Sequence, residues 1–423
     1  MISKLDGYMA EKMGLAAHQP DRVAIEQWQL AQFNQLLLWC KANSAFYADY
    51  PSHVDRLADV SKLPFVTAQD IALRGDELCC VSQSQISRVV TMQTSGTSGQ
   101  RKRLYFSEAD QQSTVDFFAC GLSELNGPDD RCMILMPGHH PGGMSDLIAR
   151  ALKKIGAVPI HCGNDRTFSE MAELLAAHQV TTLVGSPVQI LSLARYLQAC
   201  QLPHHIKAVL VSSDYLPEAV RKAIAITLHC AVYDHYGITE AGLGFSIECS
   251  AHSGLHIREN DLLVEIIDPD TGQPVPDGQW GEMVFTTLTR QAMPLIRYRT
   301  GDRARLLADP CPCGSVVKRM DKIAGRLGQA QQRYTMPILD EALFGLPEIV
   351  DAEAIYSASG CKLTVRLLLS EPLSTVKTSI RAVLQPILHQ GDQLVLEAAF
   401  LDEANRQQAK SLYGAKRVVR MEE

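Results

Sequence analysis

Cys132-Met133-Ile134-Leu135-Met136 is an uninterrupted apolar run that predicts a short strand buried on both faces. Working outward, Met144 to Ile155 predicts an amphipathic helix and Val158-Pro159-Ile160 a strand. Phe168 to His178 predicts a helix and Thr181-Thr182-Leu183-Val184 a strand. Val188 to Ala199 predicts a helix, and Ala208-Val209-Leu210-Val211 another strand. Short apolar strands separated by helices of this length imply a largely parallel sheet covered by helices, so the fold class is α/β. Ligands of such sheets sit beyond the carboxyl ends of the strands. Tyr236 to Glu240, following Ala231-Val232-Tyr233, is in that position.

On either side the pattern changes. The N-terminal portion reads as helical to about Cys40. Leu262 to Ile267 and Gly281 to Thr286 read as strands, with the turn Asp268-Pro269-Asp270-Thr271-Gly272 between them, which predicts an antiparallel, barrel-like part. After about Gly325, strands at Ala352 to Tyr356 and Lys362 to Leu369, a helix from Leu373 to His389 and a strand from Gln393 to Phe400 give a β-β-α-β order. That order suits a small α+β cap. Internal repeats and low-complexity linkers are absent from the sequence.

The 423 residues suffice for two or more domains. A formal net charge of -7 argues against a general binder of nucleic acid or of anionic membranes. No apolar run reaches the roughly 18 residues needed to span a bilayer. Met1-Ile2-Ser3-Lys4-Leu5-Asp6-Gly7 lacks the apolar core of a secretion signal, which places the protein in the cytoplasm. Its 12 scattered cysteines are then expected to be reduced.

Chemistry concentrates in Gln93-Thr94-Ser95-Gly96-Thr97-Ser98-Gly99-Gln100-Arg101-Lys102-Arg103. The glycines permit tight turns and close approach of a ligand. Amide N–H groups in such a turn converge on an anion, and three adjacent cations favour phosphate. It is not a Walker loop, because no Gly-Lys-Ser/Thr stands at the required spacing. A polar surface turn would have a similar composition. Downstream come Tyr236-Gly237-Ile238-Thr239-Glu240, then Tyr298-Arg299-Thr300-Gly301-Asp302, then Lys416 in Gly414-Ala415-Lys416-Arg417-Val418.

In this order the motifs resemble those of adenylate-forming enzymes, and the resemblance narrows to the phenylacetate–CoA ligase branch. A helix at Gln27 to Trp39, then Ser44-Ala45-Phe46-Tyr47, then Leu63-Pro64-Phe65-Val66-Thr67 precede the loop. Cys249, His256 and Cys311-Pro312-Cys313-Gly314 follow the second motif. The resemblance covers nearly the whole chain and thins after Arg326. It implies a large N-terminal AMP-binding domain over 1–324, with mostly parallel sheets and a barrel-like part, and a small α+β cap over 325–423. The implied activity is ATP-dependent conversion of a carboxylic acid, aromatic acids included, to an acyl-adenylate with release of pyrophosphate, followed by transfer to CoA. Transfer to an acyl carrier protein or an amine, or a noncatalytic nucleotide-binding scaffold, are the alternatives. A homodimer is compatible with the resemblance.

The resemblance also implies roles. Thr94, Ser95, Gly96, Thr97, Ser98, Gly99 and Lys102 would hold the β- and γ-phosphates of ATP; Arg101 replaces the usual proline. Thr239 would bond the α-phosphate and Glu240 would ligate Mg²⁺, a hard ion that prefers oxygen. Tyr236 and Gly237 would flank adenine, near Ser213 and Asp214. Asp302 would accept hydrogen bonds from the ribose hydroxyls, with Arg326 in the same nucleotide-binding set. Lys416 would reach the α-phosphate. A core aromatic at Tyr236, a solvated charge at Glu240, a plain turn at Ser213 and Asp214, and a basic tail at Lys416 are the structural alternatives. The family's Gly-Arg-x-Asp-Asp hinge reads Gly325-Arg326-Leu327-Gly328-Gln329 here, without its acidic pair.

Pro137-Gly138-His139-His140-Pro141-Gly142-Gly143-Met144, between a strand and a helix, is a candidate wall for the acid, with His139 and His140 as pocket polar groups and Gly142 and Gly143 at the helix start. Gly242 supplies a small residue beside the Tyr236–Glu240 motif. Cys249, His256, Cys311 and Cys313 form a candidate structural Zn²⁺ site of four closed ligands. A buried cysteine pair beside a proline turn is the alternative.

Overall fold

The Cys132–Met136 run folds as the strand Arg131–Ile134, hydrogen-bonded in parallel to Val158–His161 on one side and Thr182–Gly185 on the other. Ala208–Val211 follows Thr182–Gly185, and the first four residues of Ala231–Tyr236 follow Ala208–Val211, all parallel. The structure is a computed structural model that describes residues 4–15, 20–93, 101–328, 332–412 and 417–422. The chain divides into two units. One comprises Met1–Glu124 with His235–Ala330, the other Leu125–Asp234 with Gln331–Glu423. No described helix is long and apolar enough to cross a membrane.

In the second unit the helices Met144–Lys154, Phe168–Ala177, Pro187–Ala199 and Glu218–Leu228 alternate with the parallel strands. Thr167 opens one of them with a reciprocal capping box to Glu170. Pro187 opens another at its first position, where no amide donor is needed. Pro187–Ala199 is buried over nearly its whole circumference, as a helix packed on two sides must be. One of its neighbours is a four-stranded sheet in the order Gln393–Phe400, Lys362–Leu369, Ile349–Ser357, Arg420–Glu422. The expected β-β-α-β order is present there. The helix stops at Leu384 rather than His389, because Pro386 lacks a backbone donor and the chain tightens into a 3₁₀ turn.

Buried ion pairing ties down the end of this unit. Arg417 donates through Nε to Asp340 at 2.7 Å and through Nη1 to the Ala352 carbonyl at 2.8 Å. Asp351 has no exposed surface and accepts from Ala352 N, Leu412 N and Ser411 Oγ. Burial pushes its carboxyl up to about 6, against the pull of Arg417 and these donors. The folded state therefore holds this proton more tightly than the unfolded chain. The resulting stabilisation is full below about pH 4, the ordinary carboxyl value, and is lost as pH rises through about 6. Two pKa units correspond to about 3 kcal/mol. Denaturant unfolding of the wild type and Asp351→Asn should show a stability difference that changes by about this amount between about pH 3 and pH 7. A pH-independent difference would rule the Asp351 titration out as its source.

The first unit contains the helices Arg22–Asn43 and Glu108–Leu122, the hairpin Arg88–Gln93/Arg101–Phe106 and two further antiparallel sheets. Leu262–Ile267, Gly281–Thr287 and Tyr298–Ala304 form one of these. It is an open three-stranded sheet, the form taken by the expected barrel-like part. Asp268 caps the predicted turn by accepting from Asp270 N and Thr271 N. The other sheet pairs Ser246–Glu248 with Leu255–Ile257, and the latter with Arg319–Met320. His235 and Tyr236 pair with Ile247 and Ser246, which fixes the start of the Tyr236–Glu240 segment. Each unit has its own apolar core.

Candidate active site

Lys102 lies on Arg101–Phe106, whose alternation turns Lys102 and Leu104 inward. Its ammonium meets Glu240 Oε1 and stands 3.5 Å from the Tyr298 hydroxyl. Tyr298 donates to the same Glu240 oxygen at 3.0 Å. Lys102 is 6% and Glu240 7% exposed, so neither charge could persist there without the other. Burial pushes the Glu240 carboxyl up. The charge and hydrogen bond of Lys102, joined by Tyr298, outweigh burial and hold it below its ordinary value. Glu240 is thus a carboxylate at neutral pH. Burial and the neighbouring Glu240 charge push the Tyr298 phenol far up, so it remains a donor.

A second carboxylate lies on Tyr298–Ala304, the strand that also carries Tyr298. Asp302, 4% exposed, accepts from the Tyr236 hydroxyl at 2.6 Å through Oδ2 and from Arg326 Nε at 2.8 Å through Oδ1. Its position is set by the turn before it. Gly301 has a left-handed φ of 73° and donates its amide to Glu282, and Thr300 Oγ1 accepts from the Asp302 amide. Arg326 pairs with Asp302 through a backbone bridge as well, and Leu327 N bonds to Gly301 O. Burial pushes the Asp302 carboxyl up, only partly offset by Arg326 and Tyr236. The polar end of Tyr236 is thereby committed to Asp302, while its ring meets Phe245 edge-on. Gly237 is required by close approach: a Cβ there would lie 1.7 Å from the Leu243 carbonyl oxygen.

The first unit therefore brings Lys102, Glu240, Tyr236, Asp302 and Arg326 together. Tyr298, quoted above only as the first residue of its motif, touches Glu240 directly. Thr94, Ser95, Gly96, Thr97, Ser98, Gly99 and Lys416 lie outside the described residues.

Ser213, Asp214 and the residues of the 137–144 loop belong to the second unit. Ser213 takes a left-handed φ of 71° after Ala208–Val211, with its hydroxyl 3.6 Å from the Met136 sulfur. Asp214 accepts from the Tyr215 amide. In the 137–144 loop, Gly143 caps the Met144–Lys154 helix, and a Cβ on it would lie 2.2 Å from the Gly138 oxygen. Gly142 N donates to Asp146. His139 Nδ1 is 3.3 Å from His161 Nδ1, and Ser145 Oγ is 2.8 Å from that same His161 nitrogen. His140 is exposed. His161 and Ser145 were not foreseen; their only sequence signal is a histidine at a strand end.

Cys249, His256, Cys311 and Cys313 converge in the first unit, with their ligand atoms all within 4.8 Å of one another. Cys249 and Cys311 sulfurs are 3.7 Å apart, and Cys313 Sγ is 3.5 Å from His256 Nε2. The Gly314 N to Cys311 O turn folds the two loop cysteines onto one side.

The AMP-binding enzyme family model matches residues 61–289. The phenylacetate-coenzyme A ligase of Escherichia coli (strain K12) is 30% identical over 292 residues, 66% of this chain and 64% of the relative. That of Aromatoleum evansii is 29% identical over 287 residues, 66% of this chain and 63% of the relative. The chain thus spans just under two thirds of the length of these relatives. Among solved structures, 2-hydroxyisobutyryl-CoA ligase in the postadenylation state with R3-HIB-AMP matches with a TM-score of 0.77 at 19% identity, over 95% of this chain and 90% of that one. At that identity the likeness is one of fold. The chain belongs to the AMP-binding enzyme family, in the phenylacetate–CoA ligase-like branch of the adenylate-forming enzymes.

Proposed function

We propose that this protein uses ATP to activate a small carboxylic acid and passes the acyl group to the thiol of CoA. A carboxylate is inert toward thiols because oxide is a poor leaving group. Attack of a carboxylate oxygen on the α-phosphorus of ATP forms the acyl-adenylate and breaks the bond to pyrophosphate. The CoA thiol, losing its proton, then attacks the acyl carbon and AMP departs. The observation that carries this reading is the convergence of Lys102, Glu240, Tyr298 and Asp302 in one unit, with Lys102 on the strand that directly follows the 94–100 segment.

Thr94 to Gly99 and Lys102 would bind the β- and γ-phosphates, and Thr239 the α-phosphate. Glu240, an oxygen donor held ionised, fits Mg²⁺, which supplies charge neutralisation on the phosphates when bound. Asp302, steadied by Arg326 and Tyr236, would take the ribose hydroxyls. Residues 325–423 would form the cap that carries Lys416, whose flexible ammonium suits contact with a phosphate.

The cysteine–histidine cluster fits Zn²⁺. Tetrahedral coordination with Zn–S near 2.3 Å and Zn–N near 2.05 Å requires S···S of about 3.7–3.8 Å and S···N of about 3.6 Å. The 3.7 Å and 3.5 Å separations match. Four protein ligands leave no open position, so the site would staple the 308–315 loop to the Leu255–Ile257 strand and take no part in the reaction.

A screen of carboxylic acids for pyrophosphate release, with and without CoA, tests the function. Some acid should trigger release, and CoA should convert AMP-bound acyl product to thioester. Absence of release with every acid would favour a noncatalytic nucleotide-binding protein. Asp302→Ala should weaken ATP binding by about 10- to 100-fold in calorimetry, the worth of hydrogen bonds to a charged group. Unchanged ATP affinity would remove the ribose assignment.

A further inference from the structure

The turn that carries Glu240 is gripped from behind. Three consecutive carbonyls, those of Glu240, Ala241 and Gly242, each accept from a buried side chain. The donors are Arg290 Nη1, Arg258 Nη2 at 3.1 Å and Thr114 Oγ1 at 2.8 Å. Thr239–Ala241 is a single 3₁₀ turn, closed by Gly242 N to Thr239 O. Ala241 N and Leu243 N also bond to Ile238 O. A turn this short has few such bonds to hold its shape, and the three outside donors add to them.

Two of the donors are guanidiniums, and burying a cation is costly. Burial draws Arg290 down to about 10, with Arg258 adding to the effect. Single neutral donors would satisfy the same carbonyls at less cost. A planar fork held on several sides gives something a hydroxyl does not, a fixed direction. Arg290 stacks 4.9 Å over the ring of Phe106, the last residue of the strand that carries Lys102. Arg258 stacks 5.3 Å over Phe117 and pairs with Asp261 at 3.3 Å.

The grip is organised by one helix. Thr114 and Asp110 stand one turn apart on Glu108–Leu122. Asp110 accepts from Gln291 N at 2.8 Å and Ala292 N at 3.1 Å, which fixes the backbone from which Arg290 projects. Phe117, under Arg258, is on the same helix. Gly242 completes the arrangement. Its φ is +81°, and a Cβ there would lie 2.9 Å from Arg290 Nη2 and 3.3 Å from Thr114 Oγ1.

We propose that Arg290, Arg258 and Thr114 are positioning residues that lock the Thr239–Gly242 turn and so aim the Glu240 carboxylate at Lys102. The locking stands on the geometry alone; its effect on rate rests on the adenylation reading. Preorganisation of this kind is worth a large factor, since a displacement of about 1 Å at a reacting group can lower a rate about a hundredfold.

Two variants of the full chain test it, Thr114→Val and Arg290→Lys. Amide hydrogen exchange across residues 238–244 should accelerate at least about tenfold in each, while exchange elsewhere stays at the wild-type level. For an acid that triggers pyrophosphate release, kcat should fall about 10- to 100-fold with KM for the acid nearly unchanged. The double variant should lose less than the product of the single losses, because both act on one turn. Wild-type exchange across 238–244 in a folded variant would overturn the proposal. Should Arg290→Lys fail to fold, Thr114→Val decides alone, since it removes a hydroxyl without stranding a buried charge. A wild-type protein that releases no pyrophosphate with any acid would defeat the adenylation reading, and the exchange result would still settle the locking.

Discussion

Glu240→Gln should lower acid-dependent pyrophosphate release by about 10²- to 10³-fold or more, the scale of losing a preorganised electrostatic contact. Glutamine keeps the shape of the side chain and removes its charge. It also leaves the Lys102 ammonium buried without its counterion, which costs about 3–5 kcal/mol. The stability loss and the catalytic loss must therefore be separated. Lys102→Met combined with Glu240→Gln removes both buried charges, and thermal unfolding should return toward the wild type because a charge pair replaced as a pair is often nearly neutral. Pyrophosphate release should stay abolished in that double variant. A folded Glu240→Gln protein working at the wild-type rate would eliminate Glu240 as the Mg²⁺ ligand.

Removal of the four-ligand site has the other large expected effect. Metal analysis of purified protein should find about one zinc per chain. Cys313→Ser, or a strong chelator, should release it and lower the unfolding temperature by about 5 °C or more. That figure corresponds to losing several kcal/mol of metal-coupled folding in a chain of this size. Substitution of Co²⁺ should give an intense thiolate-to-metal absorption that disappears in the serine variant. Wild-type protein that is metal-free and equally stable would show that the cysteines are packed as reduced thiols.

The parallel sheet was legible because each of its strands is an apolar run bounded by a helix-length segment, as in Cys132–Met136 and Ala208–Val211. The strand order and helix of residues 349–400 were legible for the same reason, apart from the helix end that Pro386 advances. Glu240 and Asp302 stood out because each sits in a short motif with a glycine at a forced turn. Tyr298 did not. Its phenol finds Glu240 across 58 positions of sequence, and nothing local marks that contact. Arg258 and Arg290 were harder still. A charge in a sequence is ordinarily solvated, and only the fold shows these two inside, on carbonyls of a distant turn. Thr114 reaches Gly242 across 128 positions from the inner face of a helix. Long-range polar pairing of this kind has no period and no spacing to read.

The unit that holds Glu240 and Asp302 is interrupted in sequence, with residues 125–234 belonging to the other unit. Lys102 and Glu240 are 138 positions apart. At the usual 5–20 residues per second, a ribosome needs about 7 to 28 seconds to bring the second within reach of the first. During that interval the emerging ammonium has no counterion, and the hairpin that bears it cannot close over its final neighbours. The parallel strands are translated meanwhile, yet their own unit waits for residues 331–423, so each unit can close only after a segment of the other has emerged. A nascent chain halted just past residue 234 would carry the whole 94–102 segment and neither Glu240 nor Asp302.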